Sequence, residues 1–248
     1  MKIAIIGVGR LGSILAGKLS EKFDVLAIDV DPGKIKGDNR IKTSSNVPDA
    51  LSCDAIIVSV KPVNIRQILE KLKPLKTQLL ISTAAGVPIK TIKKLSNSKN
   101  VSRIMPNINI ETNEGVIAYC GEDVQEIFEG MGKCMRFDES LFDAITSISG
   151  SGPAFIWHFA KAFEEVAGKE GIDKALARKI IGQLLKGCGE MMLKTDKSLD
   201  ELIATVASPG GTTEQGLRYL DEKKVNGIIA ETIERAIEKA KEIGKSIG

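Results

Sequence analysis

Lys2-Ile3-Ala4-Ile5-Ile6-Gly7-Val8-Gly9-Arg10-Leu11-Gly12 decides the fold. Its first five residues form an apolar, β-branched run, the pattern of a strand buried on both faces of a parallel sheet. Three glycines in the spacing Gly-x-Gly-x-x-Gly follow at once, and Leu11, Ile14, Leu15 and Leu19 then recur at helical spacing. Strand, glycine turn and helix in that order make a dinucleotide-binding unit. Gly7 makes the turn, Gly9 lets a pyrophosphate approach the backbone, and Gly12 lets helix and strand pack closely. Gly7, Val8, Gly9, Arg10, Leu11 and Gly12 are therefore candidate cofactor contacts. A second strand, Phe23 to Ile28, ends at Asp29. An acid about 20 positions past the glycines is placed to accept from the adenosine ribose, which favours NAD. The plainer alternative is a solvated turn residue before Pro32, and Lys34 and Lys36 are near enough in sequence to offset its charge.

Further apolar strands are expected at Ala55 to Val60, Leu79 to Ser82 and Asn100 to Ile104, with a helix to about Lys73 after the first of them. Strands alternating with helices specify a doubly wound parallel α/β sheet. Ligands of such sheets lie beyond the carboxyl ends of the strands. Ser59 to Pro62, Thr83 to Gly86 and Met105 to Asn107 fall at those ends and should face one cleft. Val116 to Tyr119 and Cys134 to Phe137 look like short edge strands around a small helix from Gln125, closing the first domain at residue 140.

From residue 141 helical periodicity takes over. Leu141 to Ile148 begins it, Ser149-Gly150-Ser151-Gly152-Pro153 interrupts it, and Pro153 suits the first turn of the next helix. His158 lies there and reads best as a core or interface residue. Asp173 can cap a helix to about Leu193, and Ser198-Leu199-Asp200-Glu201 is a capping box. Gly182, Gly187 and Gly189 are costly in a helix unless another helix packs very close. The last helix runs from Val225 to Ile243. So much apolar helical surface suggests burial against a second copy, hence a homo-oligomer with a dimer as minimal unit. Between two helices stands Ser208-Pro209-Gly210-Gly211-Thr212-Thr213-Glu214, where Pro209 ends one helix, the glycines turn the chain and Thr212 or Thr213 is expected to cap the next. A glycine turn entering a helix N-terminus offers N–H groups to a carboxylate or phosphate.

Composition narrows the classes. The 248 residues carry a formal charge of +3, with lysines scattered rather than massed, which gives no footprint for nucleic acid. Cys53, Cys120, Cys134 and Cys188 are widely spaced and His158 is the one histidine, so no metal site is expected and the thiols suit a reduced, cytoplasmic setting. No apolar run is long enough to cross a bilayer, and no signal peptide is apparent.

The chain resembles the pyrroline-5-carboxylate reductase family. The resemblance is carried, in order along the chain, by Gly7-Val8-Gly9-Arg10-Leu11-Gly12, Val60-Lys61-Pro62, Ala84-Ala85-Gly86-Val87, Arg103-Ile104-Met105-Pro106-Asn107, Ser149-Gly150-Ser151-Gly152-Pro153-Ala154-Phe155 and Ser208-Pro209-Gly210-Gly211-Thr212-Thr213. It implies a Rossmann domain, residues 1–140, followed by an all-helical dimerisation and substrate-binding domain, residues 141–248, with active sites formed where two subunits meet. It implies cofactor contacts from Asn46, Ser59, Val60, Lys61, Pro62, Thr83, Ala84 and Ala85. It implies that Ser208, Gly211, Thr212 and Thr213 receive the substrate, with Thr213 nearest the ring nitrogen and so the catalytic candidate. Arg10 departs from the family's usual amide or Lys, Asn109 and Ile110 from its usual apolar or Pro continuation, and Asp29 from its frequent hydroxylic residue.

The implied reaction is reduction of a cyclic imino acid by NADPH or NADH. A protonated C=N carbon accepts hydride readily, so orientation matters more than a strong acid or base, which suits a chain so poor in histidine. Backbone N–H groups at Gly211 to Thr213 would hold the carboxylate, and the Thr213 hydroxyl the ring nitrogen. Two other readings stay open: a reductase of another cyclic imine or carbonyl, and a dinucleotide-binding regulator without turnover.

Overall fold

The computed structural model describes residues 1–31, 33, 38–73, 75 and 78–245; Pro32, Lys34 and Lys36 lie outside them. Strands β1 (Lys2–Ile6), β2 (Asp24–Ile28), β3 (Ile41–Ser44), β4 (Ala55–Val58), β5 (Leu79–Ser82), β6 (Val101–Pro106), β7 (Gly115–Gly121) and β8 (Gly132–Arg136) form one sheet in the order β3-β2-β1-β4-β5-β6-β7-β8. The first six run parallel; β7 pairs antiparallel with β6, and β8 parallel with β7. The helices are α1 (Arg10–Leu19), α2 (Ile65–Lys71), α3 (Ile89–Ser96), α4 (Gln125–Phe128), α5 (Phe142–Ile145), α6 (Gly152–Lys169), α7 (Lys174–Lys194), α8 (Leu199–Ala204), α9 (Thr212–Glu222) and α10 (Val225–Lys245).

The chain divides into two compact units: Met1–Pro153 with the chain from Arg235 onward, and Ala154–Glu234. In the first, strand alternation sorts side chains to the two faces of the sheet. Ile3, Ile5, Val25, Ile57, Ile81 and Ile104 join Leu15 and Leu19 of α1 and Phe128 of α4. Ala4, Ile6, Leu26, Ile28, Ile56 and Val58 meet Leu69 of α2 and Ile92 and Leu95 of α3 on the other face. Each fully buried Ile or Leu contributes about 1.5–3 kcal/mol by leaving water.

The second unit has a different economy of burial. Among its residues only Ala177 is buried, while Trp157, Phe163, Leu184, Met192 and Leu193 are all more than two-fifths exposed. His158 is exposed as well, so within the chain it is not a core residue. No described atom lies within 4 Å of a Cβ added at Gly182, Gly187 or Gly189. The helices have sound ends. The Asp173 carboxylate accepts from the N–H groups of Ala175 and Leu176, and Ser198 and Glu201 form a complete capping box.

Several local expectations differ from the structure. β3 is an edge strand that the apolar pattern does not announce, because Lys42 and Thr43 are exposed and Ile41 alone is buried. β7 lies inside the sheet, flanked by β6 and β8, rather than at its edge. Ser149 to Pro153 does not interrupt the helix: a π-helical turn over Thr146–Gly150 carries the chain from α5 almost directly into α6. Gly211, not Thr212 or Thr213, is the N-cap of α9.

Candidate cofactor and substrate site

The glycine turn is built as its spacing demands. Gly7 has φ +94°, and a Cβ there would stand 2.5 Å from the Ser59 carbonyl oxygen and 2.7 Å from Val60 Cγ1. A Cβ on Gly12 would collide with the Gly7 carbonyl oxygen. These two glycines therefore hold the turn against α1 and against the segment after β4. Gly9 differs: it is the N-cap of α1, and no described atom lies within 4 Å of a Cβ placed on it. Packing within the chain does not require a glycine at that position, whereas close approach of a pyrophosphate does. The residues present thus fit a dinucleotide. Arg10 is exposed in the first turn of α1, Leu11 packs on the core, and the Val8 N–H is already taken, donating to Asp29 Oδ2 at 2.8 Å.

The carboxyl ends of the parallel strands gather the other predicted contacts. Ser59 N–H donates to the Ile6 carbonyl at 2.7 Å, and Thr83 N–H to the Val58 carbonyl at 3.1 Å. Ser59, Val60 and Pro62 are half-buried, Lys61 is exposed, Ala84 is buried, and Ala85 packs near Met105 and Phe142. Asn46 follows β3 and is exposed; its Nδ2 donates to Asp49 Oδ1 at 2.7 Å, and its N–H to Ser44 Oγ at 3.0 Å. Asp49 also accepts from the Ser44 hydroxyl, and these bonds hold its carboxyl below the usual range. Sequence reasoning gave Asp49 no part. Its place three residues after Asn46, at the start of a 3₁₀ turn, was the available signal.

Next along the sheet, buried Asn107 accepts from Val116 N–H at 3.1 Å through Oδ1 and donates from Nδ2 to Ser149 Oγ at 3.4 Å. It ties the end of β6 to β7 and to the π-helical turn. Gly86, at the end of the stretch expected to face the cleft, is buried against the end of α10.

In the second unit, Gly210 turns the chain at φ +71° and Gly211 N–H donates to the Ser208 carbonyl at 3.0 Å. Thr212, Thr213 and Glu214 are the first three residues of α9, and no side-chain hydrogen bond caps the helix among the described residues. Its first N–H groups thus keep their donor capacity and the positive end of the helix dipole. The Glu214 carboxylate folds back onto Gly210 N–H at 2.7 Å. Ser208 and Thr212 are exposed, and Gly211 and Thr213 half-buried.

Residues 139–243 match the family model described as pyrroline-5-carboxylate reductase dimerisation, and residues 2–86 one described as NADP oxidoreductase, coenzyme F420-dependent. The pyrroline-5-carboxylate reductase of Aquifex aeolicus is 32% identical, over 98% of this chain and 97% of the relative. This chain belongs to the pyrroline-5-carboxylate reductase family. The Methanosarcina acetivorans reductase is 35% identical, over 98% of both chains. The solved pyrroline carboxylate reductase of Plasmodium falciparum, which has NADP bound, superposes with a TM-score of 0.90 at 28% identity and covers 98% of both chains. The family's oxidoreductase chemistry and its use of NAD(P)H go with that membership. Among the described residues, no helix is long and apolar enough to cross a membrane, and no three His, Cys, Asp or Glu side chains cluster as metal ligands.

Proposed function

We propose that this chain reduces 1-pyrroline-5-carboxylate to L-proline with NAD(P)H, the closing step of proline biosynthesis. Family membership supports the activity, and the start of α9 carries the assignment of residues: a helix N-terminus turned by Gly210, opened by Gly211 and left without a side-chain cap. Backbone N–H groups at Gly211, Thr212 and Thr213, with Ser208 beside them, receive the substrate carboxylate. The Thr213 hydroxyl bonds the ring nitrogen and fixes the plane of the imine. The glycine turn, Asp29, Asn46, Ser59 to Pro62 and Thr83 to Ala85 hold the nicotinamide cofactor, which supplies a hydride to the imine carbon when bound. The imine would enter already protonated, so its ring nitrogen would keep that proton, held at the Thr213 hydroxyl, as the C=N π electrons became its lone pair.

The working form is a cytoplasmic homodimer. A helical unit whose one buried residue is an alanine gains a core only from a partner, and its match to a dimerisation model supports a second copy in that role. The four cysteines are all unpaired, as a reducing compartment would leave them.

NAD(P)H oxidation should depend on added 1-pyrroline-5-carboxylate. Thr213→Ala should lower turnover about 10- to 100-fold, the worth of one hydrogen bond to a charged group, and leave thermal unfolding unchanged. Unaltered turnover and affinity in that variant would remove Thr213 from the site. Oxidation that ignores pyrroline-5-carboxylate but responds to another imine would move the chain to a different substrate.

A further inference from the structure

We infer that the Ser149 hydroxyl donates to the nicotinamide carboxamide of the bound cofactor and that Asn107 is the positioning residue that aims it, a conclusion that rests on the nucleotide-dependent reading above. The π-helical turn Thr146–Gly150 carries the hydroxyls of Thr146, Ser147 and Ser149. The first two are spent inside the helix: Thr146 Oγ1 donates to the Phe142 carbonyl at 2.6 Å and Ser147 Oγ to the Asp143 carbonyl at 3.0 Å. Ser149 differs. Its Oγ accepts from Asn107 Nδ2 at 3.4 Å, and its own proton has no acceptor among the described residues. The direction of that bond is fixed. Asn107 is buried and its Oδ1 accepts from Val116 N–H at 3.1 Å, so the amide can present only its NH2 group to Ser149. Asn107 N–H donates to the Val116 carbonyl at 3.0 Å, which locks the residue to β7. Half-buried Ser149 is thus engaged at a lone pair from the sheet side and keeps its proton for an outside acceptor. Ser151, beyond the turn, has no such side-chain partner among the described residues.

The place of the turn selects the acceptor. A Cβ on Gly150 would stand 3.6 Å from Met105 Sδ, so the turn rests on the carboxyl end of β6. Ala85, an expected cofactor contact at the end of β5, packs against the same cluster of Met105 and Phe142. In the strand order β3-β2-β1-β4-β5-β6 the glycine turn follows β1, with β2 on one side of it and β4, β5 and β6 on the other. The adenosine half of a dinucleotide lies on the β2 side in such sheets, so the nicotinamide half extends over the ends of β4 to β6. Its carboxamide offers a neutral carbonyl oxygen, which suits a hydroxyl donor. A hydrogen bond there fixes the ring about its glycosidic bond and so decides which face is turned to the imine.

The test compares whole cofactors with fragments that lack the nicotinamide. Binding of NADH and NADPH to the full chain is followed by fluorescence, and ADP-ribose and its 2′-phosphate are measured by displacement. Ser149→Ala should weaken NADH and NADPH about 3- to 10-fold, the worth of one neutral hydrogen bond, and leave both fragments within about twofold of the wild type. Asn107→Asp keeps an oxygen for Val116 N–H but gives the Ser149 proton an acceptor, so the hydroxyl turns back to the sheet. It should reproduce the loss of Ser149→Ala, and the double variant should bind no more weakly than Ser149→Ala alone. If Asn107→Asp does not fold, Ser149→Ala decides by itself. Unchanged affinity for NADH and NADPH in Ser149→Ala overturns the inference, also where the KM for 1-pyrroline-5-carboxylate rises, because the hydroxyl would then serve the substrate. Equal weakening of cofactors and fragments overturns it too, since Ser149 would only brace the cleft. Each of these leaves the reductase reading intact. A folded wild type that binds neither NADH nor NADPH overturns this inference and the nucleotide-dependent reading together.

Discussion

Gly86 and Gly244 meet backbone to backbone. A Cβ on Gly86 would stand 2.6 Å from the Gly244 nitrogen, and one on Gly244 2.7 Å from the Gly86 carbonyl oxygen. This contact fastens the end of α10 to the loop that leaves β5, next in sequence to the expected cofactor contacts Thr83 to Ala85. Neither partner is a flexible side chain, so an added methyl group forces a backbone shift costing about 1–3 kcal/mol. Gly86 also has φ +73°, which adds about 1–2 kcal/mol for an L side chain. Gly244 is helical, and alanine there regains about 1 kcal/mol of helix propensity. Thermal melts should therefore show Gly86→Ala as the more damaging of the two. A Gly86→Ala protein melting with the wild type would mean the two backbones are not in contact.

Gly9 and Gly12 should separate binding from folding. Gly12→Ala drives a methyl group into the Gly7 carbonyl and should unfold the glycine turn, lowering the melting temperature and nucleotide affinity together. Gly9→Ala meets no described atom, so its cost to stability is confined to a poorer N-cap, about 1 kcal/mol or less. Its effect should appear in nucleotide affinity, with a loss of about tenfold or more where the backbone must approach pyrophosphate. Titrating the two variants alongside melting curves checks the contrast. Gly9→Ala with wild-type affinity would place the phosphates elsewhere.

The same two glycines show why the nucleotide-binding half was legible in advance. Steric demands so specific leave a fixed spacing in the chain, and β1, β2, β4 and β5 carry apolar runs because both faces of the sheet are covered. Where burial is slight the signal fades. β3 has one buried residue in four, and nothing in its composition separates it from a loop. The pairing of β7 and β8 rests on which strand each one meets, and a short run of alternating residues does not encode its neighbour. At α9 the threonines were natural caps by type, yet Gly211 takes that role and leaves Thr212 and Thr213 inside the helix. The π-helical turn was hidden behind small residues that ordinarily mark a break. The loops of the site were visible mainly through motif resemblance, since singly each looks like an ordinary turn.

Arg103 and Glu139 should respond unequally to removal. Arg103 is 4% exposed; its Nη1 donates to Glu139 Oε1 at 2.8 Å, its guanidinium lies 4.8 Å from the Phe142 ring centre, and its Nε has no hydrogen-bond partner among the described residues. The same Glu139 oxygen accepts from Ile89 N–H at the start of α3, at 2.7 Å. Glu139→Ala thus strands a buried cation and a helix N–H. One-sided removal of a buried pair costs about 3–5 kcal/mol, and partial exposure of Glu139 brings the expectation nearer about 2–3. Arg103→Met keeps apolar bulk over Phe142 and leaves Glu139 with Ile89 and water, so its cost should be about 1 kcal/mol. Urea unfolding of the two variants measures the difference. If Arg103→Met proves the more damaging, the ion pair is not what the segment depends on.

Alkaline pH should weaken the fold through Cys120 and Cys134. Burial pushes both thiols from about 9 up to about 11, helped at Cys120 by the Glu139 charge and at Cys134 by that of Asp123. Below pH 9 folded and unfolded chains both carry the protonated thiols, and the advantage of burying them neutral is complete. Between about pH 9 and 11 the unfolded chain ionises while the folded chain does not, so stability falls as pH rises through that window. Melting temperatures measured from pH 8 to 11 should decline, and the decline should be shallower in Cys120→Ala/Cys134→Ala even if that variant starts lower. The same thiols should react slowly with a thiol-exchange reagent at pH 8 until the protein is unfolded. An identical pH slope in the double variant would assign the alkaline loss to other groups.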